Sequence, residues 1–236
     1  MAGILFIISA PSGSGKSTLV NQLRSLVDNL EFSVSYTTRS PRGSEEEGRE
    51  YHFTTREQFE RMVQNDEFLE HAEVFGNYYG TARRSLTDAT AHGKDLLLDI
   101  DVQGASQVRE RVPEAVSIFV MPPAPDILAT RLRNRSRAEG GVEEEVIQRR
   151  LANAKQEIEN YREYSYILVN DILAQAEEEL LAIVASERIR RGEDHAVQDA
   201  DRLVVLAESC RQENAGERVR PVLAAFGLLD QKTPKK

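Results

Sequence analysis

The sequence predicts an α/β fold built on a parallel β-sheet. The sequence contains short segments that are continuously apolar, without the alternation of apolar and polar residues seen in half-buried strands. Continuous apolar runs are typical of strands that are covered on both faces. Segments with the apolar spacing of helices separate them. The 236 residues, 40% hydrophobic and 29% charged, suit one sizeable globular domain, or one domain with insertions and a tail.

The predicted strands and helices alternate along most of the chain. Strands are expected at 4–9 (ILFIIS), 95–100 (DLLLDI), 117–120 (SIFV) and 166–169 (YILV). Helices are expected at 17–28, 105–111, 125–135, 143–164 and 172–191. This alternation implies a parallel sheet with crossover helices, formed by residues 1–32 and 94–191.

Residues 33–93 interrupt the alternation. Short strands are predicted at 32–38 and 51–54, and Thr55 with Gln58 resembles a capping box that opens a short helix. These features indicate a small α+β insertion between the first helix and the DLLLDI strand.

Two further segments stand apart from the sheet. Residues 136–145 (SRAEGGVEEE) combine two glycines with many charges and predict a mobile loop within a helical lid of about 126–155. A plain solvated connector is the alternative.

Residues 192–236 form a C-terminal extension without recognisable chemistry, and DQKTPKK at its end is expected to be frayed. Its helical periodicity at 199–211 and 219–229 is interrupted by Gly216, Pro221 and Gly227.

Charge and cysteine content narrow the function classes. The net charge of −9 and the pI of about 5.1 argue against a nucleic-acid polymer as partner. One cysteine, Cys210, excludes an intramolecular disulfide and fits a reducing compartment. The apolar run 4–8 is too short for a signal peptide, and no run approaches the ~20 apolar residues of a membrane span. A cytoplasmic protein without a membrane partner is expected; the oligomeric state is unknown.

Residues 10–18 (APSGSGKST) match the phosphate-binding loop G-x-x-x-x-G-K-[ST] except at Ala10. The loop lies between a predicted strand and a helix, the context in which backbone N–H groups point at a phosphate. Lys16 is expected to reach the β- and γ-phosphates of a nucleoside triphosphate, and the Ser17 hydroxyl to bind Mg²⁺. Ala10 in place of the first glycine is a small departure from the motif, provided that the backbone φ of Ala10 is negative. The residues expected to bind the triphosphate are Ala10, Pro11, Ser12, Gly13, Ser14, Gly15, Lys16, Ser17 and Thr18. The loop alone leaves GTP switches, ATPases and small-molecule kinases open.

A second anion site is predicted downstream. Arg39 and Arg42 lie three residues apart in SVSYTTRSPR, beside hydroxyl side chains, and such a pair can grip a phosphate. Surface charge is the alternative for this pair alone. The stretch FLEHAEVFGNYYGTARRS adds Glu70, Tyr79 and Thr81, and the combination favours a binding site.

Together these stretches resemble the guanylate kinases, enzymes that transfer a phosphoryl group from ATP to GMP. The matching stretches, spread over about 3–190, are SAPSGSGKST, FSVSYTTRSPR, GREYHF, FLEHAEVFGNYYGT, LLLDIDVQG, the arginine-rich 131–150 region and ILVND. The resemblance implies a P-loop NTPase core with an inserted GMP-binding region and a helical lid, in agreement with the organisation above.

The resemblance also implies roles for individual residues. Those that match the contacts of the GMP phosphate are Arg39, Arg42, Tyr51 and Tyr79. Those that match guanine contacts are Glu70, Ser35 and Asp101, and Thr81 matches a further GMP contact. Guanine chemistry supports Glu70, because one carboxylate can accept from both N1–H and the 2-amino group. Adenine has an unprotonated N1 there and would be disfavoured.

The resemblance implies that the triphosphate bound at residues 10–18 is ATP. It implies catalytic roles for Lys16 at the donor, for Arg39 at the acceptor, and for the lid residues Arg135 and Arg150. Arg131 and Asn170 are candidates for contacts with the donor nucleotide, and Asp99 for orienting Mg²⁺ together with Ser17. The segment NRSRAEGGVEEE is longer than the usual turn of the family, so Arg137 is an alternative to Arg135.

Three functions remain open at this point. The favoured one is an ATP:GMP phosphotransferase of purine metabolism that forms ADP and GDP, with dGMP as a further acceptor. A non-catalytic guanylate-kinase-like module that binds protein partners is disfavoured, because Lys16, Ser17, Arg135 and Arg150 are all present. A P-loop kinase for another small acceptor is the third.

Overall fold

The structure is a computed structural model that describes residues 3–74, 76–138, 144–192 and 199–229. The strands are β1 (Leu5–Ser9), β2 (Leu30–Phe32), β3 (Tyr36–Thr37), β4 (His52–Phe53), β5 (Phe68–Val74), β6 (Asn77–Ala82), β7 (Asp95–Asp99), β8 (Val116–Met121) and β9 (Tyr166–Val169). The helices are α1 (Lys16–Leu26), α2 (Arg56–Gln64), α3 (Arg83–Ala91), α4 (Val102–Arg111), α5 (Pro125–Ala138), α6 (Glu144–Glu159), α7 (Leu173–Arg190), α8 (Ala200–Cys210) and α9 (Gly216–Ala225). The fold is α/β with parallel sheet pairing, as predicted.

The first of two compact units comprises Met1–Ser9 and Arg24–Ser117. Its parallel strands lie in the order β2, β7, β1, with Leu5 beside Leu96 and Leu30 beside Asp95. Every residue of β1 is buried, which explains its apolar sequence without alternation.

A second, four-stranded sheet belongs to the same unit. Its order is β4, β3, β6, β5, with antiparallel pairing of β6 to both β3 and β5. The capping box that begins α2 is confirmed, because Thr55 accepts from the Gln58 backbone N–H and the Gln58 side chain accepts from the Thr55 backbone N–H. Helix α4 packs against β5 and so covers the strand that carries Glu70.

The second unit comprises Ala10–Leu23 and Ile118–Lys236. Its parallel pair β8–β9 places Ile118 beside Tyr166. Helices α5 and α6 pack together, and α7 packs against both β9 and α8.

Several predicted boundaries were wrong. The single strand predicted at 32–38 is two strands, because β2 pairs with β7 whereas β3 joins the second sheet. A continuous run of β-forming residues carries no sign of this change of partner. Helix α5 continues to Ala138, and a 3₁₀ turn, Asn160–Glu163, follows the end of α6. The centre of the predicted lid loop, 139–143, lies outside the described residues, as does the DQKTPKK segment.

Residues 199–229 of the C-terminal extension pack against α7 and β9 within the second unit. Contrary to expectation, α9 continues through Pro221 and ends before Gly227, where φ is +64°. At the edge of β9, Gln212 donates its backbone N–H to the Ser165 carbonyl at 3.0 Å, and Tyr166 forms an antiparallel bridge with Arg211.

Several ion pairs join the extension to α7, and the one between Glu179 and Arg218 involves a buried carboxylate. Glu179 is 1% exposed, and its Oε1 lies 2.9 Å from Nη1 of Arg218. A buried carboxylate is costly without a partner, so Arg218 compensates a charge that α7 could not otherwise bury.

Within the described part of the chain, no helix combines the length and apolar character needed to cross a bilayer.

We expect Arg218→Ala to lower the free energy of unfolding by about 2–3 kcal/mol, because Glu179 would be left buried and unpaired. Arg220, exposed on the same helix, is the matched control, and Arg220→Ala should change stability by less than about 0.5 kcal/mol. Urea unfolding measures both. Equal midpoints for the two variants would contradict this role of Arg218.

Candidate active site

The phosphate-binding loop follows β1 and ends in the first turn of α1. Gly13 and Gly15 both have φ of +89°, a conformation that favours glycine. The Ser14 backbone N–H donates to the Pro11 carbonyl at 3.0 Å, which closes a tight turn. Ala10 is not among the described non-glycine residues with positive φ, so the methyl group at this position is compatible with the loop.

Two side chains that are distant in sequence hold the Ser14 carbonyl of the loop. Asn170 Nδ2 donates to the Ser14 carbonyl oxygen at 2.7 Å, and Arg131 Nη1 donates to the same oxygen at 3.4 Å. Arg131 Nη2 also donates to the Asn170 carbonyl at 3.0 Å. These contacts join the loop, the residue after β9 and helix α5 in one network.

The predicted lid arginines lie on two helices of the second unit. Arg135 is exposed near the end of α5, and Arg150 is half-buried on α6. Arg133 and Glu144 tie the two helices together through Nη2–Oε1 and Nε–Oε2 contacts of 2.6 and 3.1 Å. Arg133, with help from Gln148, lowers the pKa of Glu144 to about 2. Because its guanidinium is paired with Glu144, Arg133 is a weaker candidate than Arg135 or Arg150 for a contact with the transferring phosphate.

Three of the residues predicted to hold the GMP phosphate contact one another in the first unit. The Arg39 guanidinium is 9% exposed, donates through Nε to the Tyr79 hydroxyl at 3.3 Å, and lies 5.3 Å from the centre of the Tyr51 ring. The Tyr51 and Tyr79 ring centres are 5.8 Å apart. Burial, with a smaller effect of the Asp99 charge, raises the pKa of Tyr51, so its hydroxyl stays a donor at neutral pH. Arg42 is exposed.

Sequence reasoning missed Glu45. Its carboxylate accepts from Arg39 Nη1 and Nη2 at 2.9 and 3.0 Å and from the Arg42 backbone N–H at 2.8 Å. Arg39 Nη1 also donates to the Ser40 carbonyl at 2.6 Å, so these contacts use four of the five guanidinium N–H groups. With Glu45 in place, Arg39 cannot also grip a phosphate with two parallel bonds. Nothing in the run of three glutamates at 45–47 distinguishes Glu45 from its neighbours.

Glu70 is a buried carboxylate in the region predicted to bind GMP. It is 3% exposed, and its Oε1 accepts from the Thr81 hydroxyl at 2.6 Å. A Cβ at Gly104 would lie 2.3 Å from Glu70 Oε2, so a side chain at that position of α4 would displace the Glu70 carboxylate. Burial raises the pKa of Glu70 to about 7, and the nearby charge of Asp101 adds to the effect.

Asp101, Asp99 and Ser35, also predicted as site residues, differ in their contacts and burial. Asp101 is the N-cap of α4, and its side chain accepts from the Gly104 backbone N–H at 2.8 Å. Asp99 is half-buried at the last position of β7, and Ser35 is half-buried just before β3. Asp101 therefore has a structural role in addition to any contact with a ligand.

The parallel sheet and the glycine-rich loop define a P-loop nucleotide-binding protein. A family model described as Guanylate kinase matches residues 3–187. Because the family model covers most of the chain, the chain belongs to the guanylate kinase family.

Individual relatives agree with this assignment. A guanylate kinase of Koribacter versatilis (strain Ellin345) is 55% identical over 226 residues, 96% of this chain and 97% of its own. That of Escherichia coli (strain K12) is 46% identical over 201 residues, 84% of this chain and 95% of its own. A crystal structure of guanylate kinase from Anaplasma phagocytophilum has a TM-score of 0.65 at 34% identity and covers 84% of this chain and 98% of that chain.

The extension lies beyond the region that the family model matches. The match to the family model ends at residue 187, before α8 and α9. The match with the Koribacter versatilis relative is 226 residues long and must include part of these helices.

We expect Glu70→Gln to stabilise the ligand-free protein at high pH. The folded-state pKa of about 7 lies above the ordinary value of 4.5, so the folded protein binds the proton more tightly than the unfolded chain. The group's contribution to stability is therefore fully present below pH 4.5 and is lost as the pH rises to about 7.

Glutamine carries no charge, so the variant should be more stable than wild type by up to about 3 kcal/mol at pH 8, with the difference shrinking as the pH falls to 5. Urea unfolding at several pH values measures this. A difference that is constant with pH would show that Glu70 does not titrate in this range.

Proposed function

We propose that this protein transfers the γ-phosphoryl group of ATP to GMP and forms ADP and GDP. The observation that carries the proposal is the buried carboxylate of Glu70, held by Thr81 in the same unit as the cluster of Arg39, Tyr51 and Tyr79. Membership of the guanylate kinase family supports the same reaction.

Glu70 provides the means to select guanine. Its ionised carboxylate can accept from N1–H and from the 2-amino group, two adjacent donors that adenine lacks. Burial makes this selection strong, because a base with the wrong pattern would leave the carboxylate without donors. Thr81 fixes one carboxylate oxygen, and we propose that Ser35 and Asp101 complete the base contacts.

The phosphate of GMP would be held by the aromatic and arginine cluster. Arg39 is already oriented by Glu45, Ser40 and Tyr79 and offers one further N–H, while exposed Arg42 and the tyrosine hydroxyls supply additional donors. Because Arg39 is held in place before the ligand arrives, its binding to the phosphate loses little side-chain entropy. The paired Glu45 keeps the buried Arg39 charge compensated when the acceptor is absent.

On the donor side, the phosphates of ATP would bind at backbone N–H groups of the loop 10–18. The loop runs into the start of α1, and the N-terminus of a helix favours an anion. We propose that Lys16, Arg135 and Arg150 stabilise the charge on the transferring group, and that Arg131 lies near the donor nucleotide.

Mg²⁺ fits the oxygen groups available. The Ser17 hydroxyl is exposed and has no hydrogen-bond partner among the described residues, and Asp99 supplies a carboxylate at the end of β7. We propose that Ser17 binds Mg²⁺ directly and that Asp99 orients it through water. Bound there, the ion would neutralise charge on the β- and γ-phosphates.

The reaction requires no general base from the protein. The nucleophile is an oxygen of the GMP phosphate, which is already an anion at neutral pH. As its bond to the γ-phosphorus forms, the bond from that phosphorus to the β–γ bridging oxygen breaks, and ADP leaves. Catalysis is therefore the work of positioning and of charge stabilisation.

We further propose that dGMP is a second acceptor and that the protein works in the cytoplasm, in purine nucleotide metabolism, where both substrates are made and used. The non-catalytic alternative is less well supported, because the loop lysine and the lid arginines that a phosphotransferase needs are retained.

The test is ADP release measured with GMP, dGMP, IMP, AMP and UMP as acceptors. IMP keeps N1–H but lacks the 2-amino group, so its kcat/KM should be about 10- to 100-fold below that of GMP, the effect of one hydrogen bond to a charged group. AMP and UMP should react more slowly still.

The Glu70→Gln substitution should lower kcat/KM for GMP more than kcat/KM for IMP, so the ratio of the two values should fall towards one. If wild type releases no ADP with GMP, the proposed function is wrong. If the variant keeps both GMP turnover and the GMP/IMP ratio, Glu70 does not read the base.

A further inference from the structure

The side chain of Asn170 contacts the phosphate-binding loop at Ser14 and is almost completely buried. The residue follows directly after β9 and is 3% exposed. Its backbone N–H donates to the Met121 carbonyl at 2.9 Å, which fixes it to the end of β8. Its Oδ1 is also buried and has no hydrogen-bond partner among the described residues.

The contact between Asn170 and the loop is close and specific. Nδ2 lies 2.7 Å from the Ser14 carbonyl oxygen, which can only accept, so the side chain must present its NH₂ group there. A Cβ at Gly15 would lie 2.3 Å from the same Nδ2. Gly15 is therefore needed for its positive φ and also because the Asn170 amide occupies the space beside it.

The direction of one peptide group follows from this contact. In a trans peptide the carbonyl of residue 14 and the N–H of residue 15 point in opposite directions. A donor that fixes the Ser14 carbonyl therefore directs the Gly15 N–H away from the Asn170 side chain. The N–H groups of such loops are the groups that bind a phosphate. Arg131 supports the same carbonyl from α5 at the longer distance of 3.4 Å.

We propose that Asn170 is a positioning residue of the donor site, which orients the Gly15 N–H towards the triphosphate through the Ser14 carbonyl and does not contact the adenine. This role rests on the proposed function in one respect only, namely that ATP phosphates bind at this loop. It differs from the adenine contact expected from the resemblance to the family.

Asn170→Ala and Asn170→Asp test the proposal, with Asp171→Ala as the matched control, because Asp171 is the exposed neighbour. At pH 8.5 both Asn170 variants should raise the KM values of ATP and of GTP as donors by the same factor, about tenfold, the effect of one oriented hydrogen bond to the phosphates. KM for GMP should stay within about twofold of wild type, and Asp171→Ala should change none of these values.

Inorganic tripolyphosphate provides a base-free probe. Its dissociation constant, measured by calorimetry, should rise in both Asn170 variants by the factor seen for ATP. Because this measurement needs no turnover, it tests the positioning role even if GMP proves to be the wrong acceptor. Wild-type GDP formation, assayed in parallel, tests the proposed function separately.

The Asn170→Asp variant adds a readout that a general loss of stability would not give. The ionised carboxylate introduced by this substitution can only accept and would repel the Ser14 carbonyl, whereas the protonated acid can donate to it. The ratio of the tripolyphosphate dissociation constants, Asn170→Asp to wild type, should therefore fall as the pH is lowered from 8.5 to 6.

Two outcomes would overturn the proposal. A loss confined to ATP, with GTP and tripolyphosphate unaffected, would show that Asn170 reads the adenine. Unchanged dissociation constants in folded variants, or a ratio independent of pH together with an unchanged alanine variant, would show that the contact does not orient the loop.

Discussion

The burial of the Glu70 carboxylate is the constraint on which the acceptor region depends. The strand β5 places it beneath α4, and Gly104 leaves the space that its carboxylate occupies. The neighbouring strand β6 supplies the Thr81 hydroxyl to one of its oxygens. The cost of burying this group appears as its raised pKa, and guanine, with two adjacent donors, is the kind of ligand that removes that cost. In the proposed role of Glu70, selectivity for guanine and instability of the ligand-free protein therefore have the same origin.

An acidic chain that binds two polyanions must create its positive sites locally. The two units do so by different means. In the second unit, backbone N–H groups of the loop are oriented by Ser14 contacts and need no excess of basic residues. In the first unit, a buried guanidinium is oriented by a carboxylate, so Arg39 stays in place without a ligand. Both solutions fix the donors in advance, which is what electrostatic stabilisation of a transferring phosphoryl group requires.

The sequence predicted those features that depend on local pattern. β1, β7, β8 and β9 were recognisable because strands buried on both faces are continuously apolar, and the loop because its glycines and lysine lie between a strand and a helix. The role of Glu45 was not recognisable, because it follows from the burial of Arg39, and no local signal reports that burial. The fit of Glu70 against Gly104 and of Asn170 against Gly15 is likewise a contact between distant segments. The sequence also did not predict that β2 and β3 belong to different sheets, because their pairing partners are distant in sequence.

The most direct measurement of the central claim is the number of protons released when GMP binds at pH 7, obtained by calorimetry in buffers of different ionisation enthalpy. GMP has its own titrating phosphate, so the quantity of interest is the difference between wild type and Glu70→Gln. If guanine selects the ionised carboxylate of a group with a pKa of about 7, wild type should release about half a proton more than the variant, and the excess should vanish by pH 8.5. Equal proton release by the two proteins at pH 7 would contradict the account.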